Sequence, residues 1–179
     1  MYLLNQQTIA TRSMITPANL ILILTATVTA LIAGLFFAWS CSVTIGLARI
    51  PDTMYIAAMQ AMNRAILNPV FLICFVGNVL LLPLSAYMFY STPVSTRFIL
   101  LVTAAVVYLV GVFGVTILGN VPMNESLDAF DLSAASPADI AAQRIAFEKP
   151  WNTLNTVRSV ASTLSVVLVI IACLSRTED

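Results

Sequence analysis

Four long apolar runs, separated by shorter polar stretches, dominate the chain. A transmembrane helix needs ~20 mostly apolar residues to cross ~30 Å of hydrocarbon, and each run meets that length. The predicted spans are about 17–49, 66–90, 97–118 and 151–174. Thr16 followed by Pro17 reads as a helix start, threonine as N-cap and proline in the first turn. Pro51 ends that helix. At ~1.5 Å per residue it is ~48 Å long, so it is expected to tilt or project from the membrane. A stripe of small residues at spacing four runs along it: Ala26, Ala30, Gly34, Ala38, Ser42 and Gly46. Such stripes let helix backbones approach closely in lipid. This one is expected to make the first helix the central packing element, or else to meet a second copy or a membrane partner.

Between the first two spans, residues 51–67 read as a short amphipathic helix. Gln60, Asn63, Arg64 and Asn68 fall on one of its faces, opposite Ala57, Ala58, Ala61, Met62 and Ala65. Asn68 before Pro69 marks the start of the second span. That span holds Asn78, which needs a partner on a neighbouring helix, and Pro83, a predicted kink. Tyr87 and Tyr90 read as interfacial anchors. The turn STPVST at 91–96 joins antiparallel neighbours, and Gly111, Gly114 and Gly119 in the third span allow close packing.

Residues 120–150 are the one long predicted loop, with a short helix over 138–147 capped by Ser136 and contacting the rest through Ile140 and Phe147. The fourth span begins with Trp151, Asn155 and Arg158 on one face. The predicted fold is therefore an all-α membrane protein, four antiparallel transmembrane helices in one bundle, a single domain over 1–179 with a long loop between the third and fourth helices. The N-terminal stretch, whose basic residue is Arg12, reads as leading into a retained span rather than as a signal peptide.

Composition agrees. Hydrophobic residues make up 60% of the 179, charged residues only 9%, and the formal net charge is zero. A soluble domain carries ~25% charged residues, and a zero balance offers no footprint for nucleic acid. The expected surroundings are membrane lipid, in a protein that crosses the membrane several times, with a bacterial inner membrane as the expected compartment. Cys41, Cys74 and Cys173 lie in apolar runs without CxxC spacing, which signals neither a disulfide framework nor a zinc site. The chain has no histidine. That removes the commonest general base and metal ligand, so neither a metal nor another cofactor is expected.

Alternating direction brings the end of helix 1, the start of helix 2, the end of helix 3 and the start of helix 4 to one membrane face. Apart from Asn78, the unusual polar residues gather there. Gln60, Asn63, Arg64 and Asn68 come from the segment before span two. Asn120, Asn124 and Asp128 follow span three, and Trp151, Asn155 and Arg158 open span four. The pattern suits a pocket between bundle helices. Arginine and asparagine bind carboxylates and phenolates but are poor proton acceptors, which leaves Asp128, Glu125 and Asp52 as candidate bases. Arg64 or Arg158 is expected to pair with Asp128 and to fold 120–128 back as a lid. The other guanidinium would then face an anionic ligand. If the partner charge stays buried, truncating either arginine would cost ~3–5 kcal/mol.

Three stretches in order, MQAMNRAILNPVF at 59–71, VTILGNVPMNESLD at 115–128 and WNTLNTVRS at 151–159, with FFAWS at 36–40, resemble the anthrone oxygenase-like family of small four-helix membrane proteins. The resemblance covers about 33–174. It implies a four-helix integral membrane fold. It also implies, for members in polyketide pathways, oxidation of anthrones to anthraquinones by O2 with no known metal or flavin. The family's motif residues map onto Gln60, Asn63, Arg64, Asn68, Asn120, Asn124, Trp151, Asn155 and Arg158. Three functions follow as expectations: an oxygenase-like enzyme acting on a lipophilic aromatic, a non-catalytic partner or small-molecule-binding subunit, and a carrier. The carrier has least support, since four spans without an inverted repeat give no basis for alternating access. Arg49, Arg64 and Arg158 are expected to be buried. Discounting them in the positive-inside count turns the polar end outward.

Overall fold

A computed structural model describes residues 16–175, and it is helical throughout, with no strand among them. Four helices are long and apolar enough to cross a membrane: α1 (Pro17–Leu47), α3 (Pro69–Met88), α4 (Thr96–Asp128) and α5 (Pro137–Leu174). A shorter helix, α2 (Asp52–Ala65), lies between α1 and α3. The tails before residue 16 and after 175, with Arg12 and Arg176, lie outside the described residues.

The helix starts follow local chemistry. Thr16 Oγ1 accepts from the Asn19 amide at 3.2 Å and Asn68 Oδ1 from the Phe71 amide at 3.0 Å. Ser95 Oγ accepts from the Phe98 amide at 3.2 Å. Ser136 and Asp139 form a reciprocal capping box. α1 ends two residues earlier than expected, in a tight turn closed by Arg49 N–H to Gly46 carbonyl before Pro51.

The long loop does not exist. α4 continues past the third span to Asp128, and α5 begins at Pro137 and runs without a break through Pro150, so only 129–136 connects them. The acids at 125–148 read as loop because they are incompatible with hydrocarbon, yet both helices simply project from it. At 38 residues, α5 is ~57 Å long, far more than the membrane requires. Its first turns, α2 and the last turns of α4 form a cap beyond the bundle. There Tyr55, Ile56, Met59, Leu127, Ile140, Phe147 and Trp151 make a second apolar core. Arg144 holds this cap together: it donates to Asp52 and Glu148, both at 2.8 Å, and to the Ile50 carbonyl at 2.8 Å, with its guanidinium 4.5 Å from the Tyr55 ring centre.

The bundle is antiparallel. Thr25 near the start of α1 hydrogen-bonds Ser85 near the end of α3 at 2.7 Å. Ser165 late in α5 donates to the Ala104 carbonyl early in α4 at 3.3 Å. The end of α1 meets the middle of α5 through Ser40 and Ser159, 2.9 Å apart. The start of α1 and the end of α5 therefore share one side. Asn78 finds its expected partner, accepting from Thr29 at 3.1 Å. α4 and α5 approach most closely at Gly111, where a β-carbon would stand 2.6 Å from the Ala161 β-carbon.

The small-residue stripe points the other way. α1 buries Leu22, Thr25, Thr29, Ile32, Ala33 and Phe36, whereas Ala30, Gly34, Ala38, Ser42 and Gly46 are exposed. Nothing lies within 4 Å of where a Gly34 or Gly46 β-carbon would sit. Only Ala26 of the stripe packs against the chain's own core; from Ala30 onward the residues beside the stripe fill that role.

Candidate functional site

Where the bundle meets its cap, the helices widen. α1 contains a π-helical turn at Trp39–Val43, and α4 contains two, at Leu109–Gly114 and Thr116–Asn120. Each widened turn inserts a residue into the regular spacing and re-aims the side chains around it, a device common at functional sites. Trp39, Phe113, Thr116 and Ile117 project from these turns into a cavity of about 260 Å³. Phe36, Phe71, Phe75 and Trp151 supply further aromatic wall.

Arg158 stands at the polar end of this cavity. Counted from Pro137 it lies ~32 Å along α5, deep in the bundle. It is only 6% exposed and has no carboxylate partner among the described residues. Its Nη2 donates to Asn155 Oδ1 at 3.0 Å and its Nη1 to Thr116 Oγ1 at 3.4 Å. The guanidinium carbon lies 4.4 Å from the Phe36 ring centre and 5.4 Å from that of Trp151. Ring faces and amide dipoles thus stand in for a counter-ion. Its Nε has no partner.

Asn155 is itself fixed, donating to Ser40 Oγ at 2.9 Å, so its oxygen is turned toward Arg158. Trp151 donates from Nε1 to Asn124 Oδ1 at 2.8 Å and packs against Trp39, ring centres 5.0 Å apart. Asn63 reaches the cavity from α2 with its amide nitrogen unpartnered, at 8% exposure. Asn120, on the same run of α4 as Thr116 and Asn124, is 1% exposed, and neither its amide oxygen nor its nitrogen has a partner. Leaving buried polar atoms unpaired costs ~1–3 kcal/mol each.

The other sequence candidates lie elsewhere. Gln60 is a strut: its Nε2 donates to the Leu127 and Phe130 carbonyls at 2.8 and 2.9 Å, tying α2 to the end of α4. Asn68 only caps α3. Arg64 does pair with Asp128, Nε to Oδ1 at 2.5 Å, but the pair is solvent-exposed, 62% and 47%. The ~3–5 kcal/mol expected for a buried pair therefore does not apply, and ~0–1 kcal/mol does. Nor does 120–128 fold back as a loop lid; it is the continuation of α4. With Asn63, Asn124 and Glu125, the Arg64–Asp128 pair frames a vestibule of about 330 Å³ whose walls include Leu67, Val121 and Ala129, and which shares Asn63, Leu67, Val121 and Asn124 with the main cavity.

None of the three candidate bases lines the main cavity. Asp52 is engaged by Arg144, Asp128 by Arg64, and Glu125 stands in the vestibule. In the cap, burial above all, then the charge of Glu148, pushes the Tyr55 phenol well above its ordinary range against the opposing pull of Arg144, so it stays neutral. That Phe36, Phe71, Phe75 and Phe113 wall a cavity is not legible in the sequence, because in a membrane helix a phenylalanine facing a cavity and one facing lipid look alike. The glycines at 111, 114 and 119 were the one available hint that α4 is irregular there.

No curated protein and no solved structure matches the chain. A family model does: the one described as anthrone oxygenase matches residues 59–168, spanning the cavity residues of α2 to α5 but not the 36–40 segment of α1. That match covers more than half of the chain, in agreement with the four membrane-spanning helices, and the protein belongs to the anthrone oxygenase family.

Proposed function

We propose that the cavity binds a lipophilic aromatic molecule as its phenolate or enolate, with Arg158 as the anion-stabilising group, and that the protein oxidises it in the manner the family name implies. The observation that carries this is Arg158 itself: a buried guanidinium with no acidic partner among the described residues, at the end of an aromatic-walled cavity. A buried cation without a counter-ion is costly until an anion arrives. For an anthrone, loss of one methylene proton gives an electron-rich enolate. Reaction with O2 then converts CH2 to C=O, and one O2 yields one quinone carbonyl and one water. Stabilising the enolate lowers the cost of the first step, as preorganised donors do for developing oxyanions. Asn63, whose amide nitrogen has no partner, is the second donor we assign to a ring oxygen. The vestibule at Glu125 and Asp128 gives the released proton a path to water.

The test is oxygen consumption and quinone formation by the full chain in lipid nanodiscs supplied with an anthrone. Arg158→Gln should lower kcat/KM ~10²–10³-fold, the range for loss of one oxyanion donor. Arg158→Lys should recover only part, because the planar fork is lost. Undiminished turnover in Arg158→Gln would remove Arg158 from the mechanism.

A second reading, a non-catalytic partner subunit, draws on the exposed stripe of α1. Gly34→Leu should abolish cross-linking to a second copy or a partner if that stripe is an interface, and should leave turnover intact if it only meets lipid. As to orientation, Arg49 and Arg64 are exposed rather than buried, so they count in full with Arg144 and Lys149. This removes the ground for an outward polar end and favours a cytoplasmic one. A reporter fused after Asp179 should then be active only outside the cytoplasm.

A further inference from the structure

The main cavity is polar at one end and apolar at the other. Arg158 and Asn63 close its inner end. Leu72, Val76 and Ile117 form its rim, each between 40% and 45% exposed. Leu72 and Val76 lie early in span α3 and Ile117 in span α4, so the rim sits between two helices apolar enough to cross a membrane.

The slit has a structural cause. α3 and α4 are tied together at Phe75: the Tyr108 hydroxyl donates to its carbonyl at 2.9 Å, and its ring stacks on Phe113 at 5.4 Å. Toward the cap from this tie, α4 enters its widened turns, where Thr116, Ile117 and Val121 face Phe71, Leu72 and Val76 across the cavity. The other way in, through the vestibule, is framed by Arg64, Glu125 and Asp128. A flat apolar molecule taking that route would have to displace the water around three charges.

We propose that the gap between α3 and α4 is a lateral portal: the ligand enters from the bilayer, polar end leading, and Val76 and Ile117 set the width of the passage. This rests on the cavity being a ligand site, as in the proposed function. It adds the physical class of the ligand, a planar molecule dissolved among acyl chains with one oxygen-bearing end, and the residues that admit it. The vestibule then serves water and protons, and the two routes meet at Asn63 and Asn124.

The experiment uses the full chain in phosphatidylcholine vesicles with Trp39→Phe, which leaves Trp151 as the one tryptophan of the two. The probe is anthracene-2-carboxylate, followed by energy transfer from Trp151 after stopped-flow mixing. Val76→Phe with Ile117→Phe should slow association at least tenfold while equilibrium affinity changes less than threefold. Arg64→Ala with Asp128→Ala should leave the association rate within twofold. An unchanged rate in the first variant, or a several-fold faster one in the second, overturns the portal.

A second measurement needs no probe. Lipids brominated along the acyl chain should quench Trp151 although its side chain is buried, and added Val76→Phe and Ile117→Phe should relieve at least half of that quenching. Absence of quenching in the Trp39→Phe chain overturns the portal. If the probe binds no variant while brominated chains quench Trp151, the Arg158 reading fails and the portal stands.

Discussion

The two ends of the bundle are made of the same helices and similar residues, yet they treat polar groups differently. At the end where α1 starts, the polar side chains join helices, although the Asn78 amide nitrogen keeps no partner. Thr25 meets Ser85, Thr29 meets Asn78, and Arg97 donates to the carbonyls of Ala172, at 2.9 Å, and Ser175, with its guanidinium over the Phe89 ring. Arg97 thereby caps the last turn of α5, where free carbonyls need donors and the helix dipole favours a cation. At the opposite end, Asn63 and Arg158 retain unpartnered atoms at the cavity they line, and Asn120 retains two in the helix wall nearby. A polar residue in a membrane helix is thus not a functional signal by itself. What distinguishes the two ends is where the unmade hydrogen bonds lie: those of Asn63 and Arg158 belong to residues that line the cavity, and that of Asn78 does not.

The largest effect is expected from exchanging the two arginines for a neutral side chain of similar reach. Arg97→Met removes charged hydrogen bonds to backbone carbonyls, each worth ~1.5–3 kcal/mol, and should lower unfolding stability by about that much. Arg158→Met removes a buried charge with no acidic partner. Its ring contacts are worth ~0.5–2 kcal/mol each, while its desolvation costs several, so stability should hold or rise. Binding of an aromatic anion should meanwhile fall at least ~100-fold, ~2.7 kcal/mol. Thermal unfolding in detergent and probe titration measure the two quantities. Equal destabilisation by both substitutions would erase the contrast, making Arg158 another structural strut.

Next in size is the glycine series, which sharpens the contrast between helix faces that are packed and faces that are not. Gly111→Ala places a β-carbon 2.6 Å from that of Ala161, and neither can rotate away. α4 and α5 must separate, at ~1–3 kcal/mol. Gly119→Ala meets the tip of Leu154 at 2.7 Å, a flexible end that can move, so the gain in helix propensity offsets most of the strain. Gly34→Ala meets nothing and should stabilise by up to ~1 kcal/mol. Unfolding of the three variants in one detergent gives the order directly. A cost at Gly34 comparable to that at Gly111 would mean that the α1 stripe is covered after all.

The span positions and helix starts were legible in the sequence because they depend on local chemistry: Thr16, Asn68 and Ser136 cap as their types predict, and apolar runs of this length have few alternatives. Of the site, Arg158 and Asn155 could be located because polar residues inside a span stand out. The predicted loop ends at Pro150, yet the helix runs through that residue. Proline inside a helix sacrifices one hydrogen bond, and here Phe147, Trp151 and the Arg144 clamp on both sides hold the helix in line. The π-helical turns left no pattern beyond scattered glycines, yet they set which residues face the cavity. The side facing of the α1 stripe was likewise illegible: spacing shows that small residues share a face, not what stands opposite.

The smallest effect separates the two arginines of the polar end itself. Arg64 and Arg158 looked equivalent in sequence, each polar, each at the start of a span. Arg64 has its acid and is exposed; Arg158 has none and is buried. A double-mutant cycle on Arg64→Ala and Asp128→Ala should give a coupling of ~0.2–1 kcal/mol, the range for exposed pairs. Raising salt from 0.1 to 1 M shortens the Debye length from ~10 to ~3 Å and should remove most of it. Binding of an aromatic anion should change less than ~threefold in either variant, since the pair frames the vestibule rather than the cavity. Arg158→Gln is the internal control: its effect on binding should persist at high salt, because a guanidinium buried between Phe36 and Trp151 is shielded from mobile ions. A coupling of several kcal/mol at Arg64–Asp128, insensitive to salt, would mean that the pair closes over the site when a ligand or the membrane is present.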